Sequence, residues 1–220
     1  MPPVLYAHPF SSYCQKVLIA LYENDTAFTY RLLGSEDDPE AFAELAALWP
    51  MKRFPLLVDD GETVIEASII IEHLMQQHPG PVRLIPDAPD EALEARKMDR
   101  FFDNYVMTPM QRIVGDHLRP ADKRDPYGVD EARAMLDTAY GWLDGVMQDR
   151  DWAAGDGFSL ADCAAAPALF YADWAHPIGD AFPAVRDYRR RLLARPSFAR
   201  AVDEARPYRP LFPLGAPDRD

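Results

Sequence analysis

The stretch Val4-Leu5-Tyr6-Ala7-His8-Pro9-Phe10-Ser11-Ser12-Tyr13-Cys14-Gln15-Lys16-Val17-Leu18 changes its periodicity midway. Val4 to His8 is a short β-favouring run that Pro9 stops. From Tyr13 to Asn24 the residues Cys14, Val17, Leu18 and Leu21 recur at i, i+3, i+4 and i+7, the spacing of one helical face. Working outward, Ala27 to Leu33 alternates again, with Phe28, Tyr30 and Leu32 on one side of a strand. Asp38 to Leu48 reads as a helix, with Asp38 as N-cap and Pro39 at the first helical position. Pro55 to Val58 and Glu62 to Ile65 are expected strands around the turn Asp59-Asp60-Gly61, and Glu66 to His78 is an expected helix stopped by Pro79 and Gly80. The order is β-α-β-α-β-β-α, a compact open sheet with helices.

A linker carrying Pro79, Pro81, Pro86 and Pro89 follows, and beyond it every long segment is helical in period. These segments cover about Asp90 to Leu118, Gly128 to Gln148, one opening at Ser159, then roughly Ala184 to Ala194 and Ser197 to Ala205. The expected organisation is a small α/β domain over residues 1–80, a linker over 81–89 and an all-helical domain over 90–220.

Composition narrows the function classes. The 220 residues hold 23 Lys and Arg against 36 Asp and Glu, a formal charge of −13 that disfavours nucleic acid and anionic membranes as partners. With 48% apolar and 27% charged residues, the chain has ordinary globular usage and enough length for a sizeable core. Cys14 and Cys163 are the only cysteines, which is neither a disulfide framework nor a metal-ligand spacing. The N-terminus has no basic region followed by a long apolar run, and no apolar stretch reaches the roughly 20 residues of a bilayer span, so a soluble cytoplasmic protein is expected.

Three segments are candidates for chemistry. In the first, Ser11 and Ser12 stand at a helix N-terminus, where free N–H groups and the positive dipole end stabilise an anion such as a thiolate. Serine also favours such positions as a cap, and Ser12 with Gln15 fits a capping box, which leaves Ser11 free to meet a ligand. Cys14 lies on the apolar face, where an inert core thiol is the simpler reading, and Tyr6 is a second hydroxyl on the first strand. In the second segment, Trp49-Pro50-Met51-Lys52-Arg53-Phe54-Pro55, a proline opens a strand after two cations. A cis bond there would expose the preceding backbone to an extended ligand, and the cations would otherwise be solvated loop charges. In the third, Glu66-Ala67-Ser68, a strand passes into a helix whose bare N–H groups suit a carboxylate, while Glu66 suits an ammonium or simply the helix dipole. In the helical half, Ser159 to Asp162 is a structural capping box, and Pro167 implies a kink in its helix. Phe101, Phe102, Tyr105, Val106, Pro109, Met110, Ile113 and Val114 form an apolar stripe, mostly core, with one edge available to an apolar pocket between domains.

In this order the three segments resemble the cytosolic glutathione transferase superfamily, across nearly the whole chain. The resemblance implies a thioredoxin-like α/β N-terminal domain that binds glutathione and an all-α C-terminal domain. Ser11-Ser12-Tyr13-Cys14-Gln15-Lys16-Val17 is similar to the serine-type theta and zeta transferases, and Ser11 is the counterpart of the serine that activates the glutathione thiol. The stretch also resembles a glutaredoxin Cys-Pro-Tyr-Cys with serine in place of the nucleophile, which counts against disulfide exchange. Tyr6 falls in register with a non-catalytic tyrosine of theta-type strands and ranks below Ser11. Pro50-Met51-Lys52-Arg53-Phe54-Pro55 resembles a zeta-type loop, implying that Pro55 is cis, that the Phe54 backbone pairs with the cysteinyl amide, and that Arg53, helped by Lys52, holds the glycyl carboxylate. Glu66-Ala67-Ser68 falls on the family's Glu/Gln-Ser pair for the γ-glutamyl end, with Ala67 lacking one hydroxyl and Ser68 a possible substitute. Trp49 replaces an asparagine. The expected function is therefore a glutathione transferase acting on an apolar small-molecule electrophile, with glutathione as co-substrate and a homodimer as its state. A zeta-type maleylacetoacetate isomerase, a dehalogenase, a glutathione-dependent reductase and a non-catalytic binding protein of the same fold are the alternatives.

Overall fold

A computed structural model describes all of residues 1–220. Its N-terminal part runs β1 (Val4–Ala7), α1 (Ser12–Glu23), β2 (Thr29–Leu32), α2 (Ala41–Leu48), β3 (Leu56–Asp59), β4 (Glu62–Ile65) and α3 (Ala67–Gln77). The strands form one mixed four-stranded sheet in the order β2-β1-β3-β4. β1 is parallel to β2 and antiparallel to β3, and the β1–β3 register starts with Tyr6 opposite Leu56. The remainder is helical: α4 (Pro89–Phe101), a π-helical stretch (Phe102–Met107), α5 (Thr108–His117), α6 (Pro126–Met147), α7 (Leu160–Ala175), α8 (Pro183–Leu193) and α9 (Pro196–Ala205).

One core joins the two parts. α1 is buried from Cys14 to Leu21 because the sheet side and the helical part both press on it, with α3 on one flank and α7 and α9 on the other. α7 can sit at the centre because Ala164, Ala165, Ala166, Ala168 and Ala172 let neighbouring backbones approach closely. The Ser159 N–H donates to Asp162 Oδ2 at 2.8 Å and the Ala161 N–H to Ser159 Oγ at 3.3 Å, so the expected capping box is present. Asp162 also accepts from the Tyr188 hydroxyl at 2.6 Å and the Ala153 N–H at 2.9 Å, which satisfies a fully buried carboxylate. The helix runs on through Pro167. No helix is long and apolar enough to cross a membrane.

Four local expectations are corrected. α2 begins at Ala41 rather than Asp38, because the Asp38 carboxylate accepts from Arg31 of β2 at 2.7 and 2.8 Å instead of capping the helix. Ser11, not Ser12, is the N-cap of α1, and no capping box forms. The Gln15 amide turns back instead, donating to the Pro9 carbonyl at 3.0 Å and to the Tyr171 hydroxyl at 3.2 Å. The long segment from Asp90 is not one α-helix, since six π-helical residues interrupt it. Finally, α3 starts at Ala67, with Glu66 outside it in the left-handed region at φ +69°.

Candidate active site

The three candidate segments converge on one cleft of about 520 Å³, within the range of roughly 300–1,000 Å³ usual for small-molecule sites. One wall comes from the α/β part: Ser11 and Tyr13 at the start of α1, Trp49 to Pro55 in the loop before β3, and Ile65 to Ala67 where β4 meets α3. The other wall is the long helix after the linker, which presents Arg100, Asp103, Asn104 and Gln111. Seven residues singled out from the sequence therefore face the cleft: Ser11, Lys52, Arg53, Phe54, Pro55, Glu66 and Ala67. Ser68 does not; its hydroxyl is engaged behind the wall.

The loop is shaped by backbone conformation. The Phe54–Pro55 bond is cis, and the ladder to β1 and β4 stops at Leu56, leaving the Phe54 backbone beyond the last paired residue. Lys52 and Glu66 are two of only four non-glycine residues with positive φ, a conformation that costs a side-chain-bearing residue about 1–3 kcal/mol and gathers at ligand sites. Lys52, Arg53 and Glu66 are exposed and make no ion pair. Charges that no partner neutralises at the mouth of a cleft are available to a ligand.

At the α1 turn, Ser11 is half-buried and Ser12 buried. Burial pushes the Cys14 thiol up to about 12, although Ser11 and the His8 N–H both hydrogen-bond its sulfur. Cys14 therefore stays a protonated core thiol at neutral pH. Burial, reinforced by the Asp103 charge, raises the Tyr13 hydroxyl to about 12, so it is a donor in the cleft. Tyr6 is turned away, donating to Glu44 at 2.8 Å.

Behind the helical wall lies an ionic cluster. Lys16, 1% exposed, contacts Asp99 at 2.5 Å, Asp103 at 2.9 Å and the Ser68 hydroxyl at 2.9 Å. Ser68 in turn donates to Asp99 at 2.9 Å. Arg100 closes the cluster from the cleft side, with Nε donating to Asp99 at 2.9 Å and Nη2 to Asp103 at 2.5 Å and to Ser68. Burial raises the Asp103 pKa, with the Lys16 and Arg100 charges opposing it. The cluster joins α1 and α3 to α4 across the cleft floor.

Sequence reading missed this wall because it followed the apolar stripe. Phe102, Val106, Met107, Met110 and Ile113 of that helix are core, and Phe101 and Tyr105 line an adjoining groove with Trp142 of α6, which shares Arg100 and Asn104 with the cleft. The apolar edge thus lines the neighbouring groove and not the cleft itself. The usable signal was the polar face: Arg100, Asp103, Asn104 and Gln111 fall at i, i+3, i+4 and i+11.

Comparison with known proteins decides the family. The N-terminal domain profile of glutathione S-transferases matches residues 5–82, and the C-terminal domain profile matches residues 101–196. The chain belongs to the glutathione S-transferase family. Among its family relatives, glutathione S-transferase GstB of Escherichia coli is 28% identical over 203 residues, covering 90% of this chain and 96% of that one. FtsZ-localized protein A of Caulobacter vibrioides is 29% identical over 207 residues, 88% of each chain. A crystallised glutathione S-transferase of Methylobacterium radiotolerans, in complex with glutathione sulfonate, superposes with a TM-score of 0.76 at 27% identity, over 91% of this chain and 94% of that one. The transferase fold is therefore common to proteins whose names differ, and what this member does rests on its own cleft.

Proposed function

We propose that this family member is a glutathione transferase in which Ser11 stabilises the glutathione thiolate for attack on a small electrophile. The carrying observation is that one cleft unites a hydroxyl at a helix N-terminus, two unpaired cations beside an unpaired strand end, and an unpaired carboxylate at the start of a second helix. A tripeptide thiol with a carboxylate at one end and an amino-acid head at the other matches that pattern. Arg53, with Lys52, takes the glycyl carboxylate; the Phe54 backbone pairs with the cysteinyl amide; Glu66 takes the ammonium, and the Ala67 N–H faces the head-group carboxylate. Residues 1–80 thus supply the thiol half of the site and the helices after the 81–89 linker the electrophile half. When the sulfur arrives, the Ser11 hydroxyl turns from Cys14 and donates to it. Lowering the thiol pKa by one unit corresponds to about 1.4 kcal/mol of preference for the thiolate. A new bond then forms from the thiolate sulfur to the electrophilic carbon as the leaving group departs with its electron pair, or as a conjugated double bond takes up the displaced pair and then a proton from water. Facing this attack, Asn104 and Gln111 suit an electrophile with a polar substituent better than a wholly apolar one.

Calorimetric titration of glutathione into the protein, beside Ser11→Ala followed by thiolate absorbance, tests the reading. Binding by both proteins with thiolate formation lost in the variant is expected. Unchanged thiolate in the variant would move the role to another hydroxyl, Tyr13 first. No binding at millimolar glutathione would replace the enzyme by a binding protein of the same fold.

A further inference from the structure

The γ-glutamyl end of the cleft has an apparent gap. Position 67 is alanine, and the Ser68 hydroxyl is held by Lys16 and Asp99 in the buried cluster. A head-group carboxylate is left there with backbone N–H groups only. Across the cleft at this point stands Arg100, whose Nη2 reaches back to Ser68, so its guanidinium lies directly over the start of α3. Nε and Nη2 are fixed by Asp99, Asp103 and Ser68, and Nη1 has no partner. Because Lys16 shares both carboxylates, two cations balance two anions, and Arg100 is anchored without being neutralised by a private partner. Its side chain is 51% exposed at the cleft, and Glu66, which makes no ion pair, lines the same cleft. A free guanidinium nitrogen in the same cleft as a free carboxylate is the complement of an α-amino-acid zwitterion, and the Nη1 N–H groups can give the ligand carboxylate a charge-assisted hydrogen bond.

We propose that Arg100 binds the α-carboxylate of the γ-glutamyl head group from the helical wall, replacing the hydroxyl that position 67 lacks. This assignment rests on the glutathione reading above and makes the chain selective for thiols that carry that carboxylate. It also makes recognition depend on the helical part, because Arg100 is set in place by Asp99 and Asp103 of its own helix.

The test compares dissociation constants of glutathione and of its analogue in which γ-aminobutyrate replaces the γ-glutamyl residue, a thiol that lacks only the α-carboxylate and keeps the amino group. To separate the two groups, the analogue with the amino group removed and the carboxylate kept is titrated as well. The unaltered protein is expected to lose roughly tenfold or more when the carboxylate is absent, the size of one charge-assisted contact. In Arg100→Gln that penalty should shrink to within about threefold, while the penalty for losing the amino group, which faces Glu66, stays as it was. Arg100→Lys keeps a cation for Asp99 and Asp103 but has no second nitrogen to reach the ligand, so it should show the same loss of discrimination with the fold intact. A carboxylate penalty unchanged in both variants overturns the assignment and leaves the glutathione reading standing. Failure of the unaltered protein to bind glutathione removes both.

Discussion

The two walls of the cleft carry the same kind of charge in different ways. On the α/β side, Lys52 and Arg53 sit in a short loop, exposed and unpaired. On the helical side, Arg100 is tied to two aspartates that also enclose a buried lysine. The first wall is a local product: a few consecutive residues, set by a cis proline and a positive φ, present their groups without help from distant parts. The second exists only because α1, α3 and α4 meet. Substitutions should therefore separate the walls, with ligand affinity alone changing on one side and stability changing with it on the other.

Lys16→Met should have the largest effect. It leaves Asp99 and Asp103 buried without their shared cation, a loss of about 3–5 kcal/mol. For a chain of this size that lowers the melting temperature by about 6–20 °C, which calorimetry would register. A shift under about 2 °C would mean that the helical wall does not depend on the cluster. Arg53→Ala should weaken glutathione by roughly ten- to a hundredfold, as loss of a charge-assisted contact does, with the melting temperature unmoved because Arg53 has no partner in the protein. Destabilisation in that variant would break the contrast from the other side. The smallest effect is expected for Asn104→Ala, an exposed side chain without a protein partner on the helical wall. It should raise KM for a chloronitrobenzene substrate about two- to fivefold, the scale of one neutral hydrogen bond, while the glutathione dissociation constant stays level. A fall in glutathione affinity instead would place the head group further along the helix than Arg100.

The long helix shows how far sequence reading carried. Its apolar stripe was assigned mostly to the core, and Phe102, Val106, Met110 and Ile113 are buried there. The remaining edge, Phe101 and Tyr105, opens onto a groove with Trp142 rather than onto the cleft. Six π-helical residues interrupt the α-helix in the middle, yet Met110 and Ile113 beyond them keep the buried face that the stripe predicts. Gln15 does not follow its local pattern. Its spacing from Ser12 fits a capping box, yet Tyr171, 156 residues away, offers the amide a buried partner, and burial makes that bond worth more than a solvent-exposed cap.

By itself the sequence determined the order of strands and helices, the Ser159 capping box, and the three short segments that border the cleft. Each is fixed by neighbours within a few residues, through periodicity, capping chemistry or a proline, and such signals survive without knowledge of the fold. The tertiary structure alone decided that Ser68 faces inward, that Lys16 is buried between two aspartates, and that Arg100 stands over α3 with Nη1 free. Those outcomes depend on which side chains meet across 30 to 90 positions of chain, where buried charges must find partners and no local pattern records which ones they are.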